Sequence, residues 1–572
     1  MPKKLKMFNL IKKHYLVIIL AFAVGSLTCF PQIFAIKQVD NFQGVYKDID
    51  NDETYYMARA RDIVDGHSFL SNPYLYEYKN GYPMQFWLPD YILAKPLAIL
   101  NINLYAGYFF YDFFLPFILT ILTYGIFYLL TSSISLSFLG AALLHLNLFL
   151  SAFNRNPSPQ FNFIFWLLLF LFWLKFLKKP NLFYTIAMGV VFGLLFHIYT
   201  YYWTFYVIFF ALFLFLNYIL KRPLPYKRYF FVFYTALIIS IPYFFFWIKS
   251  MFLPYYAESL AMIGMINTHF PSGLKIVAGG CIVLSLLYFS HKKRIIDINS
   301  QSLLLFSGVL ACLVAVNQHI ITGKNMFFSS HYLMLSIFCF VFTFFYLLNL
   351  WIKKINVHYL KIILLILISG GIFYQPVIYA AAVIRGEAVT YSETEIERQK
   401  YAPIFAWLNK NTPLDGVIFA DGELSALIPV YTADNVFYAG SAGLYFMPTR
   451  EIQERFILNH YWDEFGEDRA KNSGVLNSSY LTEYSHNLSK NKVRKLFFLP
   501  PKEYEKIPQE AVDKFLELVQ EVKDKDFRQQ LKKYRVDYFI WDKKNDLNWK
   551  VDELKFLESV YEINDMVVYK VK

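Results

Sequence analysis

Four carboxylates stand close together at Asp48, Asp50, Asp52 and Glu53, in the stretch DIDNDETYYMARARDIVDGH from Asp48 to His67. Acids crowded in this way repel one another and must be solvated, paired or used; they can take up a proton or hold a divalent cation. Asp52 directly precedes a segment, Glu53–Val64, that reads as a helix, so it fits two roles, helix N-cap and general base. Capping needs one acid, and the cluster supplies more than one. Farther along, Arg155 lies in NRNPSPQ, Asn154–Gln160, between rigid prolines and a helix end. A guanidinium there can grip a phosphate with two parallel hydrogen bonds, or it can be a loop arginine with its stem along apolar surface.

The elements that must position these groups are membrane helices. Of the 572 residues 56% are hydrophobic, with 60 Phe and 45 Tyr, and apolar runs of membrane-spanning length recur. The chain reads as a polytopic α-helical membrane protein. Its basic start, MPKKLKMFNLIKKH, leads into an apolar stretch from Tyr15 to Ile36 with no small-residue cleavage site, so that stretch is expected to be a retained first helix. Further spans are expected near 105–130, 134–153, 161–177, 182–198, 203–220, 229–248, 274–289, 303–321, 332–350 and 362–383. With the first helix this makes about eleven.

Lys and Arg gather at alternate connections: Lys12/Lys13, Lys178/Lys179, Lys221/Arg222, Lys292/Lys293/Arg294 and Lys353/Lys354. That bias predicts a cytoplasmic N-terminus and an extracytoplasmic C-terminus in the plasma (inner) membrane. The net charge of +12 is then mostly a topology signal, and no basic stretch with interleaved aromatics points to nucleic acid. Cys29, Cys281, Cys312 and Cys339 all fall in expected spans, with no disulfide framework and no metal-ligand spacing.

Two segments are too long and polar to be simple turns. One is the outer loop 37–104, which holds the acidic cluster and, at Met84–Leu100, a segment expected to lie along the membrane interface. The other is the tail. Residues 1–384 are expected to form the membrane domain and 385–572 a soluble, extracytoplasmic α/β domain, with strands at Gly416–Ala420, Ile428–Thr432, Val536–Trp541 and Met566–Val571 and helical pattern over Glu510–Tyr534.

This layout, with one inward-to-outward helix, an acidic outer loop, about ten more spans and a soluble tail, resembles the GT-C superfamily of polyprenyl-phosphate-sugar-dependent glycosyltransferases. Within the loop, DETYYMARARDIVDGH (Asp52–His67) is similar to the DE-x-x-Y stretch of aminoarabinose transferases and protein O-mannosyltransferases. The resemblance implies an integral-membrane hexosyl- or pentosyltransferase. A polyprenyl-phosphate-linked sugar would be its donor and a glycan, lipid or protein its acceptor. It places Asp52 at the family's catalytic acidic position, with Glu53 beside it and Asp50 and Asp48 as alternates. Such a reaction needs a base for the acceptor hydroxyl and cations or dipoles for the departing phosphate. The oligosaccharyltransferase branch carries Asp-x-Asp on its second outer loop, where this chain has Asn154-Arg155-Asn156. No cofactor is therefore expected, and a divalent metal at Asp48/Asp50/Asp52 is the disfavoured alternative.

Outer connections supply further polar groups at bilayer depth. Lys324 and His331 are expected to help Arg155 bind the donor phosphate, and Tyr255, Tyr256, Glu258 and His269 to form the substrate rim. The aromatic break HIYTYYW, His197–Trp203, is mostly interfacial belt with a ring or two able to stack on a sugar. YWDEFG, Tyr461–Gly466, is superficially similar to the Trp-Trp-Asp-Tyr-Gly motif of oligosaccharyltransferases, lacks the paired tryptophans, and is expected to be an exposed helical patch. Two other readings stay open: a lipid-linked-sugar flippase or transporter, for which Asp112 and His145 are the deep ionisable groups, and a non-catalytic scaffold. Convergence of the acids, Arg155 and the rim cations on one cavity distinguishes an enzyme from either.

Overall fold

A computed structural model describes residues 3–48, 52–67, 71–83, 86–326, 331–355 and 357–572, with side chains from residue 12 onward. Asp50 and Met84 lie outside the described residues. The helices of the membrane part are, in order, α1 (Lys3–Ile36), α2 (Glu53–Val64), α3 (Leu88–Ile99), α4 (Leu104–Thr131), α5 (Ile134–Ala142), α6 (Gln160–Lys178), α7 (Leu182–Ile198), α8 (Thr200–Ile219), α9 (Tyr226–Ser250), α10 (Tyr256–Met262), α11 (Leu274–Lys292), α12 (Ser300–Val316), α13 (His319–Thr322), α14 (His331–Lys354) and α15 (His358–Ile384). Among the described residues nine are long and apolar enough to cross a membrane: α1, α4, α6, α8, α9, α11, α12, α14 and α15. The chain is an integral membrane protein. Of the about eleven spans expected, the remaining two correspond to shorter apolar helices, Ile134–Leu148 and α7, which rise only about 23 and 26 Å against a hydrocarbon core of about 30 Å.

Aromatic packing dominates the membrane core. Trp166, Phe170 and Trp173 of α6 stack along Phe205, Phe209 and Phe210 of α8, and Phe338 and Phe342 of α14 close the same cluster. The pair α7 and α9 is joined differently. α7 carries G-V-V-F-G from Gly189 to Gly193, and a Cβ at either glycine would stand 2.8 Å from a carbonyl oxygen of α9, Val232 or Ala236. Small residues four apart let two helix backbones approach where lipid offers no hydrophobic drive to association. Most of α9 otherwise faces outward.

A second core unites the outer loop with the tail. Met57, Ala58, Ala60 and Ile63 of α2, with Tyr74 and Leu75, pack into the same apolar cluster as Ile418, Phe419, Leu427 and Val436 of the tail. The loop and the tail therefore sit at one end of the helix bundle. Two short strands, β1 (Ile266–Asn267) and β2 (Lys324–Asn325), pair at that end as well.

The tail holds a five-stranded sheet in the order β4-β3-β5-β7-β6, with β3 (Val417–Phe419), β4 (Asn435–Val436), β5 (Tyr538–Asp542), β6 (Leu557–Ile563) and β7 (Met566–Val571). β3 is parallel to both β4 and β5, while β7 runs antiparallel to β5 and β6. Helices Gln509–Lys523 and Phe527–Leu531 fill the stretch expected to be helical. Two expectations fail here. Ile428–Thr432 is not a strand: it completes helix Gly422–Tyr431, whose buried Leu424, Leu427 and Ile428 follow the helical spacing. Tyr461–Gly466 is not an exposed helix but a turn and loop, with Tyr461 and Trp462 packed on Phe527 at 4.7 and 5.1 Å between ring centres.

Gly193→Leu is expected to force α7 and α9 apart. Cysteine cross-linking between the two helices should fall sharply, while Gly371→Leu on α15, where a Cβ meets nothing within 4 Å, should leave the fold intact.

Candidate active site

The first turn of α2 is set by a wholly buried ion pair. Arg59 bonds Asp90 of α3 at 2.7 Å and the Tyr55 hydroxyl at 2.9 Å, and also donates to the Phe86 carbonyl. Its guanidinium lies over the rings of Tyr55, Tyr56 and Phe86. Burial raises the Asp90 carboxyl above the usual carboxylate range, and the Arg59 guanidinium beside it opposes the shift. Removing either partner would strand a charge, which makes the α2–α3 junction rigid.

Asp52 occupies the N-cap position of α2 and its carbonyl accepts the Tyr56 N–H at 3.1 Å, yet its side chain makes no capping bond. The carboxylate goes to Arg155 instead, Oδ2 to Nη1 at 2.6 Å. Asp52 is 57% exposed and Arg155 only 15%, so the acid faces water and the guanidinium lies beneath it. Arg155 also donates from Nε to the Ser158 carbonyl at 2.7 Å and stands 5.4 Å above the Tyr56 ring.

The loop that carries Arg155 hangs from one buried carboxylate. Asp112 of α4 accepts from Asn156 Nδ2 at 2.7 Å, Gln160 Nε2 at 2.8 Å and Gln32 Nε2 at 3.2 Å, and its carbonyl accepts from Thr28 Oγ1 at 2.7 Å. Three elements, α1, α4 and the start of α6, are thus tied to the turn that aims Arg155. His145 is likewise engaged, Nε2 to Thr123 Oγ1 at 2.9 Å. Both groups named for a transport path are thus held by neighbours within the bundle, Asp112 through both carboxylate oxygens and His145 through Nε2 alone, its buried Nδ1 having no hydrogen-bond partner among the described residues.

Tyr199, in the break between α7 and α8, packs edge-on against His331 at 5.6 Å and against Phe86 at 4.9 Å. It bonds Ser158 and lies in the field of both Arg155 and Asp52; burial drives its phenol far above the ordinary value, so it stays protonated. His331, at the start of α14, also packs against Tyr201 at 5.0 Å. The structure thus gathers Asp52, Arg155 and His331 about Tyr56 and Tyr199.

The other acids diverge. Asp48 accepts from Thr54 Oγ1 at 2.7 Å and pairs with Arg398 of the tail at 3.2 Å, its carboxyl raised by burial. Glu53 lines a small crevice with Lys47 and Tyr105. Lys324 is exposed on β2, and no described contact joins it to Arg155. The rim residues dock the tail. Tyr256 stacks on Phe446 at 5.8 Å, Glu258 accepts the Thr449 N–H at 3.1 Å, and Tyr255 lies near Glu451. His269 meets the Ile320 carbonyl at 2.9 Å.

No family model matches the chain, and no curated protein matches it in sequence. Among solved structures it is similar to ArnT from Cupriavidus metallidurans bound to undecaprenyl phosphate. That match has a TM-score of 0.49 and 10% identity, covering 98% of each chain. The apo form of the same protein matches with a TM-score of 0.42 and 11% identity, over 94% of this chain and 95% of that one.

Sequence reasoning missed Tyr56 as a partner of Arg155, although it falls in the quoted motif, and missed Arg398 and the positioning role of Asp112, which only three-dimensional contacts disclose. Asp112→Leu should orphan the buried amides of Asn156 and Gln32 and leave Gln160 its bond to the Phe153 carbonyl alone, at about 1–3 kcal/mol for each unsatisfied group. A lowered melting midpoint, together with faster cysteine labelling at position 155 in an Arg155→Cys background, is the expected result.

Proposed function

We propose that the protein is an integral-membrane glycosyltransferase that moves a sugar from a polyprenyl-phosphate carrier to an acceptor hydroxyl at the face of the membrane where the tail lies. The observation that carries this reading is the Asp52–Arg155 contact: a solvent-facing carboxylate over a half-sunk guanidinium, at the boundary between helix bundle and soluble tail. The basic connections lie at the opposite end of the bundle, which supports a cytoplasmic N-terminus and an extracytoplasmic tail in the plasma membrane.

The donor is a phosphodiester with one negative charge, and the departing polyprenyl phosphate carries two. Arg155 therefore binds the leaving group more strongly as the bond breaks, which is the condition for lowering the barrier rather than merely holding the substrate. A guanidinium fork fits phosphate as well as carboxylate, so the donor competes with Asp52 for Arg155. Asp52, released from its ion pair, becomes the base. It takes the proton of the acceptor hydroxyl, the acceptor oxygen bonds to the anomeric carbon, and the carbon–oxygen bond to phosphate breaks with its electron pair leaving on the phosphate. One displacement inverts the anomeric centre. Tyr199, held protonated, can donate a hydrogen bond to a phosphate oxygen, and His331 stands behind it.

Asp48 and Asp52 are directed at two different arginines, which supports chemistry without a divalent metal. Chelators are expected to leave turnover unchanged; strict dependence on Mg²⁺ or Mn²⁺ would contradict this. Asp112 and His145 are engaged in contacts within the bundle, which weakens the flippase reading. Asp52→Asn should lower polyprenyl-phosphate release by about 10² to 10⁴ in a folded protein that still binds donor. Arg155→Ala should raise the donor KM and lower turnover, with Arg155→Lys intermediate because it keeps charge and loses the planar fork. Full activity in Asp52→Asn would sink the mechanism.

A further inference from the structure

On the tail side of α2 lies a cavity of about 220 Å³ that the reaction described above does not use. It is built from both halves of the second core: Asp48, Thr54, Tyr55 and Tyr74 come from the outer loop, Arg398 and Glu423 from the tail. Arg398 bridges the two acids, with Asp48 at 3.2 Å and Glu423 at 2.7 Å. It takes one oxygen of Glu423, whose side chain stays 45% exposed. Tyr74 is buried and bonds Ser441.

These groups specify a ligand. Two carboxylates, a guanidinium, a threonine hydroxyl and two phenols, paired among themselves and with neighbouring groups, make a polar wall whose water an acyl chain would strip away with nothing in return. Two acids against one arginine disfavour a phosphate. Carboxylate and guanidinium pairs match adjacent hydroxyls, and the partly exposed Tyr55 ring offers a flat apolar face on which the C–H side of a pyranose can rest. The volume suits one sugar ring. In the chain, Asp52 stands between Asp48 and Thr54, so the pocket and the base share the first turn of α2.

We propose that this cavity is the acceptor subsite and that it holds a neutral sugar residue, so that the transferred sugar goes to a carbohydrate hydroxyl. The inference rests on the glycosyltransferase reading and adds the acceptor class to it. The ring seats against Tyr55, its vicinal hydroxyls meet Asp48, Arg398 and Glu423, and a further hydroxyl at the lip of the pocket is presented to Asp52. That hydroxyl loses its proton to Asp52 as its oxygen bonds to the donor's anomeric carbon.

The test uses the full-length protein in lipid nanodiscs and saturation-transfer NMR with four probes: methyl α-mannoside, methyl β-galactoside, methyl N-acetyl-β-glucosaminide and mannose 6-phosphate. At least one neutral glycoside should receive saturation and the phosphate should not. Affinity should fall about tenfold or more in Glu423→Gln, which removes one charged acceptor, and in Ala426→Phe, which fills the cavity with the ion bridge intact. Melting curves of both variants confirm that they fold. Absence of any neutral glycoside binding, equal binding of mannose 6-phosphate, or unchanged affinity in the folded variants would overturn the subsite. Cleavage of donor with no glycoside bound would remove the subsite and leave the transferase standing. Glycoside binding in a protein that cleaves no polyprenyl-phosphate sugar would remove the transferase reading, and with it the pocket's role as an acceptor site.

Discussion

A carboxylate from the loop that packs on the tail and a guanidinium from the bundle meet at 2.6 Å, and the architecture around Asp52 and Arg155 serves to keep them there. The contact adds little to stability, because an ion pair with one partner more than half exposed is worth about 0–1 kcal/mol. Its value lies in placement. Arg155 is held from below by the Asp112 hub, which binds α1, α4 and α6 to one turn. Asp52 is held from above by α2, which Arg59 and Asp90 fix to α3. The Arg59 guanidinium also lies over Tyr56, the ring beneath Arg155, and each support is buried where its geometry cannot relax cheaply.

The two buried carboxylates solve different problems with the same chemistry. Asp90 is matched by a full opposite charge, while Asp112 is matched by side-chain amides and, among the described residues, by no cation. An arginine beside Asp112 would compete for Asp52 or for the phosphate that Arg155 is proposed to bind. Amide donors hold the loop without adding a second positive charge.

Much of the membrane architecture was legible because bilayer crossing imposes long apolar runs and a charge bias that no other environment demands. α2 was legible too, since Glu53–Val64 follows a helical pattern after an acidic start. The acidic cluster marked the turn that meets Arg155, but not how its members part company, with Asp48 bound to Arg398 and Asp52 to Arg155. That division depends on Arg398, distant in sequence and in a segment without a motif. In the tail, Ile428–Thr432 looked like a strand because its apolar residues are β-branched; Leu424 and Leu427 upstream set the helical register that prevailed. The residues expected at the rim lie where the bundle meets the tail, and what they do there, docking the tail through Glu258 and Tyr256, is a matter of packing that local sequence does not encode.

The central claim is that Asp52 and a substrate phosphate compete for the same guanidinium. Affinity for a short-chain polyprenyl phosphate, measured by titration calorimetry on the purified full-length protein and on Asp52→Asn, tests it most directly. Removing the internal competitor should make the variant bind the phosphate more tightly than the natural protein, the opposite of what loss of an ordinary contact residue does, and should do so only while Arg155 is present. Equal or weaker binding in Asp52→Asn would contradict the account.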